Sequence, residues 1–203
     1  RYSSTSRGLG DVYKRQTPQL SYAVRSLSCN AGIVITASHN PKEYNGFKVY
    51  WSDGGQLVAP QDQEILTCVK NLKVSDIKWN GGNGEINYLG KEIDDSYLKN
   101  IEKLSLNPVS HSNIKLVFTP LHGTAITLLP QVLQSFGFKN IHILESQKKP
   151  DGDFPTVISP NPEEAEALDL ALQKAREIDA DMVIGCDPDS DRVGIAVRDH
   201  QNE

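Results

Sequence analysis

The segment DMVIGCDPDSDR, residues 181–192, joins an apolar run to three carboxylates at alternate positions. The short run Asp181–Cys186 is apolar at its centre, which predicts a buried strand. Asp187, Asp189 and Asp191 follow it within five residues and form a polar loop. In α/β proteins the chemistry lies beyond the carboxyl ends of such strands. The segment therefore indicates both the fold class and a place for a site.

Strands and helices alternate in the part of the chain that precedes this segment. The apolar pattern predicts strands over Lys115–Phe118 and Asn140–Leu144, with a helix over Thr124–Phe136 between them. Asn161 is expected to cap a further helix that has Pro162 at its first position. The predicted inward face of that helix comprises four apolar residues at helical spacing: Ala165, Leu168, Leu172 and Ala175. Such alternation indicates an α/β sandwich.

The first half of the chain is predicted to hold a second set of elements and a second polar loop. Gly32–Ala37 is short, apolar and β-branched, which predicts a fully buried strand that runs into the loop at Ser38–Pro41. The other predicted elements are a strand at 47–51 and helices at 18–27, 60–72 and 93–104, the second with Ile65, Leu66 and Val69 inward. A turn or flexible connector is predicted at 81–84.

Composition limits the classes of protein to which the chain can belong. The formal net charge is -5, which does not indicate a nucleic-acid-binding protein. No apolar run approaches the roughly 18 residues that a membrane helix needs. Cys29, Cys68 and Cys186 are an odd number without a C-x-x-C pair, which favours a reduced, cytoplasmic setting.

The two ends of the chain differ from the rest. Residues 1–16 hold four basic residues and one acidic residue, show no periodicity and resemble translated sequencing-adapter read-through; a native leader is the alternative. We expect a first domain at 17–105, a linker at 106–113 and a second domain at 114–203. The apolar run 193–197 stops abruptly, so we interpret the chain as an internal fragment of a longer protein.

Three carboxylates in one short loop repel each other unless protons or a cation intervene, which favours a hard divalent cation. An EF-hand is excluded, since Arg192 and Arg198 stand where that loop needs Gly and Glu. A haloacid-dehalogenase-type phosphatase loop, which has Thr or Val where this chain has Asp191, stays open. A solvated acidic turn is the other alternative.

Ser38 stands at the start of the other polar loop. The G-x-S-x-G elbow of hydrolases is absent, because Thr36 and Asn40 occupy the glycine positions. A Ser-His pair alone is a weak signal, but here it is followed by Asn40-Pro41 and then by Asn45-Gly46-Phe47-Lys48. This combination is specific enough to compare with known families.

The two loops together resemble one family. Residues 36–41, TASHNP, resemble the phosphoserine loop of the α-D-phosphohexomutases, the phosphoglucomutase/phosphomannomutase superfamily, and residues 187–192 resemble its metal loop. Residues 119–124 and 153–156, with 161–163, are similar to the phosphoglucomutase/phosphopentomutase branch. The resemblance implies two α/β sandwich domains, the first truncated at its N-terminus. It also implies that the family's third and fourth domains are missing.

The resemblance also implies roles for individual residues. Ser38 would carry a phosphoryl group, and one Mg²⁺ would be bound by Ser38, Asp187, Asp189 and Asp191. His39 and Lys48 are candidates for proton transfer or for binding the serine phosphate, with a loop-bonded His and a strand-end Lys as the alternatives. Four more residues are candidates for binding substrate or phosphate: Thr36, Asn40, His122 and Arg192. For His122 a loop-capping role is equally open, and for Arg192 a simple salt bridge.

The implied activity is that of a phosphosugar mutase, such as one that converts glucose 1-phosphate to glucose 6-phosphate through a phosphoserine and a sugar bisphosphate. The absence of a G-x-x-x-x-G-K-[ST] loop agrees with phosphoryl transfer that does not consume ATP. We expect a phosphorylated sugar as partner and no turnover by the fragment alone. The sequence does not determine the sugar or the oligomeric state. A phosphatase that uses Asp187 as nucleophile and a non-catalytic sugar-phosphate or metal-binding module are the alternatives.

Overall fold

The computed structural model describes residues 15–44, 46–77, 86–106 and 113–199. The first unit begins with helix α1 (Thr17–Ser26) and an antiparallel ribbon of β1 (Ala31–Ile35) and β2 (Phe47–Trp51). Helices α2 (Gln61–Asn71) and α3 (Lys91–Glu102) follow. The predicted helices and strands of this half therefore exist, with ends shifted by at most two residues.

One face of the ribbon packs against α1. Because side chains alternate along a strand, Gly32 and Val34 lie on this face, and so does Tyr50 of β2. Val24 of α1 is 2% exposed and Tyr50 is 7% exposed. A Cβ at Gly32 would lie 2.5 Å from Val24 Cγ2, so the glycine permits α1 to approach the strand this closely.

The prediction of a fully buried strand at 32–37 is wrong. Ile33 and Ile35 are 62% and 75% exposed, because they lie on the ribbon face opposite to α1. The inward face predicted for α2 is also wrong, since Ile65 is only half-buried and Leu66 and Val69 are exposed. Apolar periodicity identified these elements but not what covers them.

The second unit is a mixed four-stranded sheet with helices on both faces. Its strands are β3 (Lys115–Thr119), β4 (Asn140–Ile143), β5 (Met182–Cys186) and β6 (Val193–Val197), in the order β4-β3-β5-β6. β3 runs parallel to β4 and β5, and β6 is antiparallel to β5. The helices are α4 (Leu129–Ser135), α5 (Glu145–Lys148) and α6 (Ala165–Ile178).

Two apolar clusters build the core, one on each face of this sheet. Val117 and Val183 pack against Ala171 of α6, while Phe118 and Cys186 pack against Ala125 before α4. The sandwich predicted from the alternation of elements is therefore confirmed. Burial, with a smaller effect of the adjacent Asp187 charge, raises the pKa of the Cys186 thiol to about 12, so this cysteine is a packing residue.

Two helix predictions in the second unit need correction. The segment 124–136 is a 3-10 turn at Thr124–Thr127 followed by α4, and Pro130 stands in the first turn of α4. A proline there has no N–H to continue the preceding turn. Asn161 does not cap α6, which begins at Ala165; its side chain instead accepts a hydrogen bond from the Glu163 N–H at 3.2 Å.

The inward face of α6 is also shifted along the helix. Ala167, Leu168 and Ala171 are its buried residues, while Leu172 and Ala175 are half-buried against the core and Ala165 is exposed. The helix starts four residues after its predicted cap. Its later start changes which of its residues pack against the sheet.

Several sequence predictions fall wholly or partly outside the described residues. These are the connector at 81–84, most of the linker at 106–113 and residues 1–14 of the predicted leader. The last two leader residues are packed, since Arg15 pairs with Asp94 of α3 at 3.0 Å and Gln16 is 6% exposed. Residues 15 and 16, which were predicted to belong to the leader, thus contact the rest of the chain. Among the described residues, no helix has the length and apolarity to cross a membrane.

Candidate active site

The two polar loops that follow β1 and β5 meet in space. Ser38 Oγ lies 3.0 Å from Asp187 Oδ2 and 2.9 Å from Asp189 Oδ1. A hydroxyl has a single proton, which it can donate to one carboxylate at a time. The predicted serine and the predicted carboxylates thus form one cluster, although about 150 residues of chain separate them.

The serine loop holds Ser38 in an uncommon backbone conformation. Its φ of 52° lies in the left-handed region, which non-glycine residues rarely adopt. The Ser38 N–H donates to Thr36 Oγ1 at 2.7 Å, and the Asn40 N–H donates to the Ala37 carbonyl at 3.0 Å. These bonds stabilise a tight turn that aims the Ser38 side chain at the second unit. Thr36 thus shapes the loop, and the Asn40 residue is exposed.

The acidic loop is held by its own backbone. Asp187 Oδ1 accepts hydrogen bonds from the N–H groups of Asp191 at 3.1 Å and Arg192 at 3.0 Å. The Ser190 N–H donates to the Asp187 carbonyl at 3.0 Å. With Oδ1 committed to the backbone, Oδ2 is the Asp187 oxygen that faces Ser38.

The two inner carboxylates are both buried, but their hydrogen bonds give them different proton affinities. Burial, together with a hydrogen bond to Asp189, raises the pKa of Asp187 to about 7. Burial also opposes the charge of Asp189, but hydrogen bonds from Asp187, Lys48 and Thr17 lower its pKa to about 2. Asp187 is therefore only partly ionised near neutral pH, and a bound cation would favour its ionised form.

The donor set fits a hard divalent cation. Asp187, Asp189 and Asp191 offer carboxylate oxygens that lie within 4.8 Å of one another, and Ser38 Oγ adjoins two of these side chains. Carboxylate and hydroxyl oxygens are ligands that Mg²⁺ accepts. A divalent cation would relieve the repulsion by Asp189 and Asp191, which adds to the effect of burial on the pKa of Asp187.

His39 and Lys48 both lie beside the cluster. His39 Nδ1 is 3.2 Å from Ser38 Oγ and 4.0 Å from Asp187 Oδ2. Lys48 Nζ donates to Asp189 Oδ2 at 2.8 Å and also to Asp191 Oδ2. Burial lowers the pKa of Lys48, but these hydrogen bonds outweigh it and the net shift is upward, so the side chain stays an ammonium. His39 is therefore within reach of the proton on Ser38, whereas Lys48 contacts the carboxylates of Asp189 and Asp191.

Arg192 lies at the edge of the cluster and points away from it. Its guanidinium forms an ion pair with Glu163 at 2.9 Å, whereas its backbone N–H supports Asp187. The salt-bridge alternative describes this side chain better than a direct contact with Ser38. Its partner, Glu163, lies outside the acidic loop.

His122 is buried in the second unit, with 4% of its surface exposed. Nε2 lies 2.8 Å from Thr156 Oγ1, and Nδ1 lies 3.3 Å from the Lys149 carbonyl. Both ring nitrogens thus have protein partners, so the geometry favours the loop-capping role over phosphate binding.

Sequence reasoning missed the residues that join α1 to the second unit. Thr17 Oγ1 donates to Asp189 Oδ2 at 2.9 Å, and Gln16 Nε2 donates to Thr127 Oγ1 at 3.0 Å and to the Thr124 carbonyl. No local pattern could have identified them, because their partners lie more than 100 residues further along the chain.

Gly123 is a second residue whose importance emerges only from the fold. A Cβ at this position would lie 2.4 Å from the Cα of Pro188 and 2.8 Å from the Pro120 carbonyl oxygen. The next residue, Thr124, donates to the Pro188 carbonyl from its N–H at 2.8 Å and from its hydroxyl at 2.9 Å. Residues 123 and 124 therefore pack against and hydrogen-bond to the acidic loop at Pro188.

The two α/β units bring a loop serine onto an aspartate-rich loop, and comparison with family models identifies the class of protein to which they belong. Residues 9–75 match the model of phosphoglucomutase/phosphomannomutase α/β/α domain I, and residues 95–200 match that of domain II. The chain belongs to the phosphoglucomutase/phosphomannomutase family. The resemblance inferred from the two loops is confirmed.

Curated relatives give the same result. The chain is 45% identical to a phosphoglucomutase of Staphylococcus haemolyticus, over 96% of its own length and 37% of that protein. It is 42% identical to a phosphoglucomutase of Staphylococcus aureus, over 94% of its length and 35% of that protein. The chain thus spans little more than a third of the curated relatives that it matches.

Solved structures confirm the two-unit architecture. The putative phosphomannomutase of Thermus thermophilus superposes with a TM-score of 0.72 at 25% identity, covering 90% of this chain and 40% of that one. A phosphoglucomutase/phosphomannomutase family protein of Burkholderia thailandensis gives a TM-score of 0.71 at 26% identity, covering 90% and 38%.

Proposed function

We propose that this chain carries the phosphoserine and the metal loop of a phosphosugar mutase. One observation carries the proposal: Ser38 Oγ lies within 3.0 Å of carboxylates from both Asp187 and Asp189. A phosphorylated serine at this place would have its negative charge beside a cation site and beside Lys48. Phosphoryl transfer depends chiefly on such positioning and neutralisation of charge.

The chain's own residues provide the proton transfer that the reaction needs. When Ser38 accepts a phosphoryl group, the hydroxyl must lose its proton, and His39 Nδ1 lies 3.2 Å away. The ammonium of Lys48 lies on the outer side of Asp189, where it can neutralise charge but does not compete for the Ser38 proton. We therefore assign His39 as the proton acceptor and Lys48 as an electrostatic partner.

Mg²⁺ would be held by Asp187, Asp189 and Asp191 together with an oxygen of the Ser38 side chain. When bound, it would supply charge neutralisation for the transferring phosphoryl group. The backbone N–H groups that hold Asp187 Oδ1 leave Oδ2 for this purpose. The loop thus orients its ligands before any cation arrives.

The phosphatase alternative requires Asp187 to act as a nucleophile. Its side chain is fully buried, Oδ1 accepts two backbone hydrogen bonds and Oδ2 contacts Ser38. These contacts favour Ser38 over Asp187 as the group that is phosphorylated.

For the substrate we propose a hexose monophosphate of the glucose type, with a sugar bisphosphate as intermediate and activator. The support is that the Staphylococcus relatives are named phosphoglucomutases. Because the chain covers 37% of the first of these, we propose that the activity belongs to a protein in which this chain is one part.

The proposal is tested by phosphopeptide mass spectrometry on the complete protein after incubation with glucose 1,6-bisphosphate and Mg²⁺. We expect phosphate on the peptide that contains Ser38 and no phosphoenzyme in Ser38→Ala. The matched control is Ser26→Ala, which removes an exposed hydroxyl at the end of α1 and should leave labelling unchanged.

Each alternative gives a different result in this experiment. Turnover of a sugar phosphate that persists in Ser38→Ala would support the phosphatase. Binding of Mg²⁺ without phosphate on Ser38 would support the non-catalytic module. Either result would contradict the mutase proposal.

A further inference from the structure

Thr17 is buried at the junction between the first unit and the acidic loop. It is 2% exposed, and both of its polar groups that can donate bind the same residue. The hydroxyl donates to Asp189 Oδ2 at 2.9 Å, and the backbone N–H donates to the Asp189 carbonyl at 2.9 Å. Thr17 therefore adjoins the cluster and is bonded to Asp189 by both its side chain and its backbone.

The contacts divide the two oxygens of Asp189 between different partners. Oδ2 accepts from Thr17 and from Lys48, while Oδ1 faces Ser38. Rotation of the carboxylate would break both bonds to Oδ2, so they fix which oxygen faces the serine. Bonds of this kind to metal ligands commonly set the orientation of the ligand and its affinity for the metal.

The neighbouring residue keeps the start of α1 in place. Gln16 Nε2 donates to Thr127 Oγ1 and to the carbonyl of Thr124, whose own N–H and hydroxyl donate to the Pro188 carbonyl. Thr17 therefore reaches Asp189 from an anchored helix end and not from a free loop. Two sets of contacts thus fix its position relative to the acidic loop: its own bonds to Asp189 and those of Gln16 to residues 124 and 127.

From this geometry we propose that Thr17 is a positioning residue that holds the Asp189 carboxylate with Oδ1 turned toward Ser38, so that this carboxylate would be oriented for a cation. The inference rests on the proposed function, because the cation site is part of that proposal. Thr17 touches neither Ser38 nor the cation in this scheme. It acts through Asp189, and the start of α1 thereby couples the first unit to the metal loop.

The test uses Mn²⁺ as the probe, with binding measured by electron paramagnetic resonance on the 203-residue chain. Thr17→Val keeps the side-chain shape and the backbone N–H but removes the hydroxyl. We expect it to weaken Mn²⁺ binding about 10-fold. Thr17→Ser restores the hydroxyl and should bind within about two-fold of the unaltered chain. If Thr17→Val does not fold, Thr17→Ala tests the same hydroxyl.

The matched control is Thr67→Val, the same exchange at a hydroxyl that donates to the Gln63 carbonyl on the exposed helix α2. It should leave Mn²⁺ binding unchanged. Unfolding by urea without metal is measured for every variant, so that a loss of stability is seen separately from a loss of affinity. A purely structural role for Thr17 would lower stability while leaving the affinity of the folded chain unchanged.

The outcomes separate this inference from the proposal on which it rests. Mn²⁺ binding by the unaltered chain with equal affinity in Thr17→Val would overturn the role of Thr17 and leave the metal site intact. Absence of Mn²⁺ binding by the unaltered chain would overturn the metal site and the role of Thr17 with it. A serine variant as weak as the valine variant would also contradict the inference, since the hydroxyl would then not be the cause.

Discussion

Lys48 Nζ donates a hydrogen bond to Asp189 Oδ2 at 2.8 Å and so connects β2 of the first unit to the acidic loop of the second. The ammonium also contacts Asp191, which places one positive charge on two of the three candidate metal ligands. The positive charge of Lys48 reduces the repulsion among the carboxylates when no metal is present. It also repels a divalent cation that binds to the same side chains.

The first prediction follows from this competition. Lys48→Met keeps the length of the side chain but removes its charge, so we expect tighter binding of Mn²⁺ by about 3-fold or more at pH 8. Isothermal titration of the 203-residue chain measures the affinity. The control is Lys42→Met, because Lys42 is half exposed and pairs with Asp153 outside the cluster. Equal or weaker binding by Lys48→Met would show that the ammonium does not oppose the cation.

Metal binding should also depend on pH through Asp187. Its pKa is raised to about 7, so at pH 6 the carboxyl is mostly protonated and a cation must displace that proton. We expect the affinity for Mn²⁺ to increase about 10-fold between pH 6 and pH 8, with release of about one proton. In Asp187→Asn, which has no proton to lose, binding should be weak and nearly independent of pH. A flat profile in the unaltered chain would contradict the assignment.

The substitution Gly123→Ala tests whether the acidic loop depends on close packing against residue 123. A Cβ there would lie 2.4 Å from the Pro188 Cα, and a backbone atom cannot move aside as a flexible side chain can. Gly123→Ala should therefore displace the loop, lower the free energy of unfolding by about 1–3 kcal/mol and weaken Mn²⁺ binding. Gly152→Ala is the control, because apart from its two chain neighbours no residue has an atom within 4 Å of a Cβ at that position. Urea unfolding and Mn²⁺ titration distinguish the two variants.

His122 should prove to be a structural residue. Its ring is bonded to Thr156 and to the Lys149 carbonyl, so His122→Gln leaves at least one buried partner without its hydrogen bond. We expect a loss of about 1–3 kcal/mol in the free energy of unfolding and an unchanged affinity for Mn²⁺. Thermal unfolding and titration of the same samples provide both values. A stable variant with a defect only in phosphate binding would instead support the role first considered for His122.

The part of the candidate site that depends on local sequence patterns was predictable. Ser38 follows one apolar strand and Asp187 follows another, and polar loops after such strands in α/β proteins share the functional edge. In the structure Ser38 Oγ lies 3.0 Å from Asp187 Oδ2. Thr17 and Gly123 were not predictable, since their partners are contacted only when the two units pack together.

In the fold, too, local sequence patterns predicted the elements but not how they pack. Apolar periodicity identified β1 and α2 but wrongly predicted buried faces, because periodicity records which side chains share a face and not what packs on it. Backbone chemistry altered two helix boundaries: Pro130 interrupts one segment, and Asn161 forms a local turn in place of a cap.

By itself the sequence determined the alternation of strands and helices, the family, and the two loops that bear the serine and the carboxylates. These depend on residue types and spacing within short stretches, which the chain specifies locally. Only the tertiary structure decided which oxygen of Asp187 faces Ser38, that Arg192 pairs with Glu163, and that Thr17 reaches Asp189. Those contacts join residues far apart in the chain, and their geometry is set by the packing of whole elements.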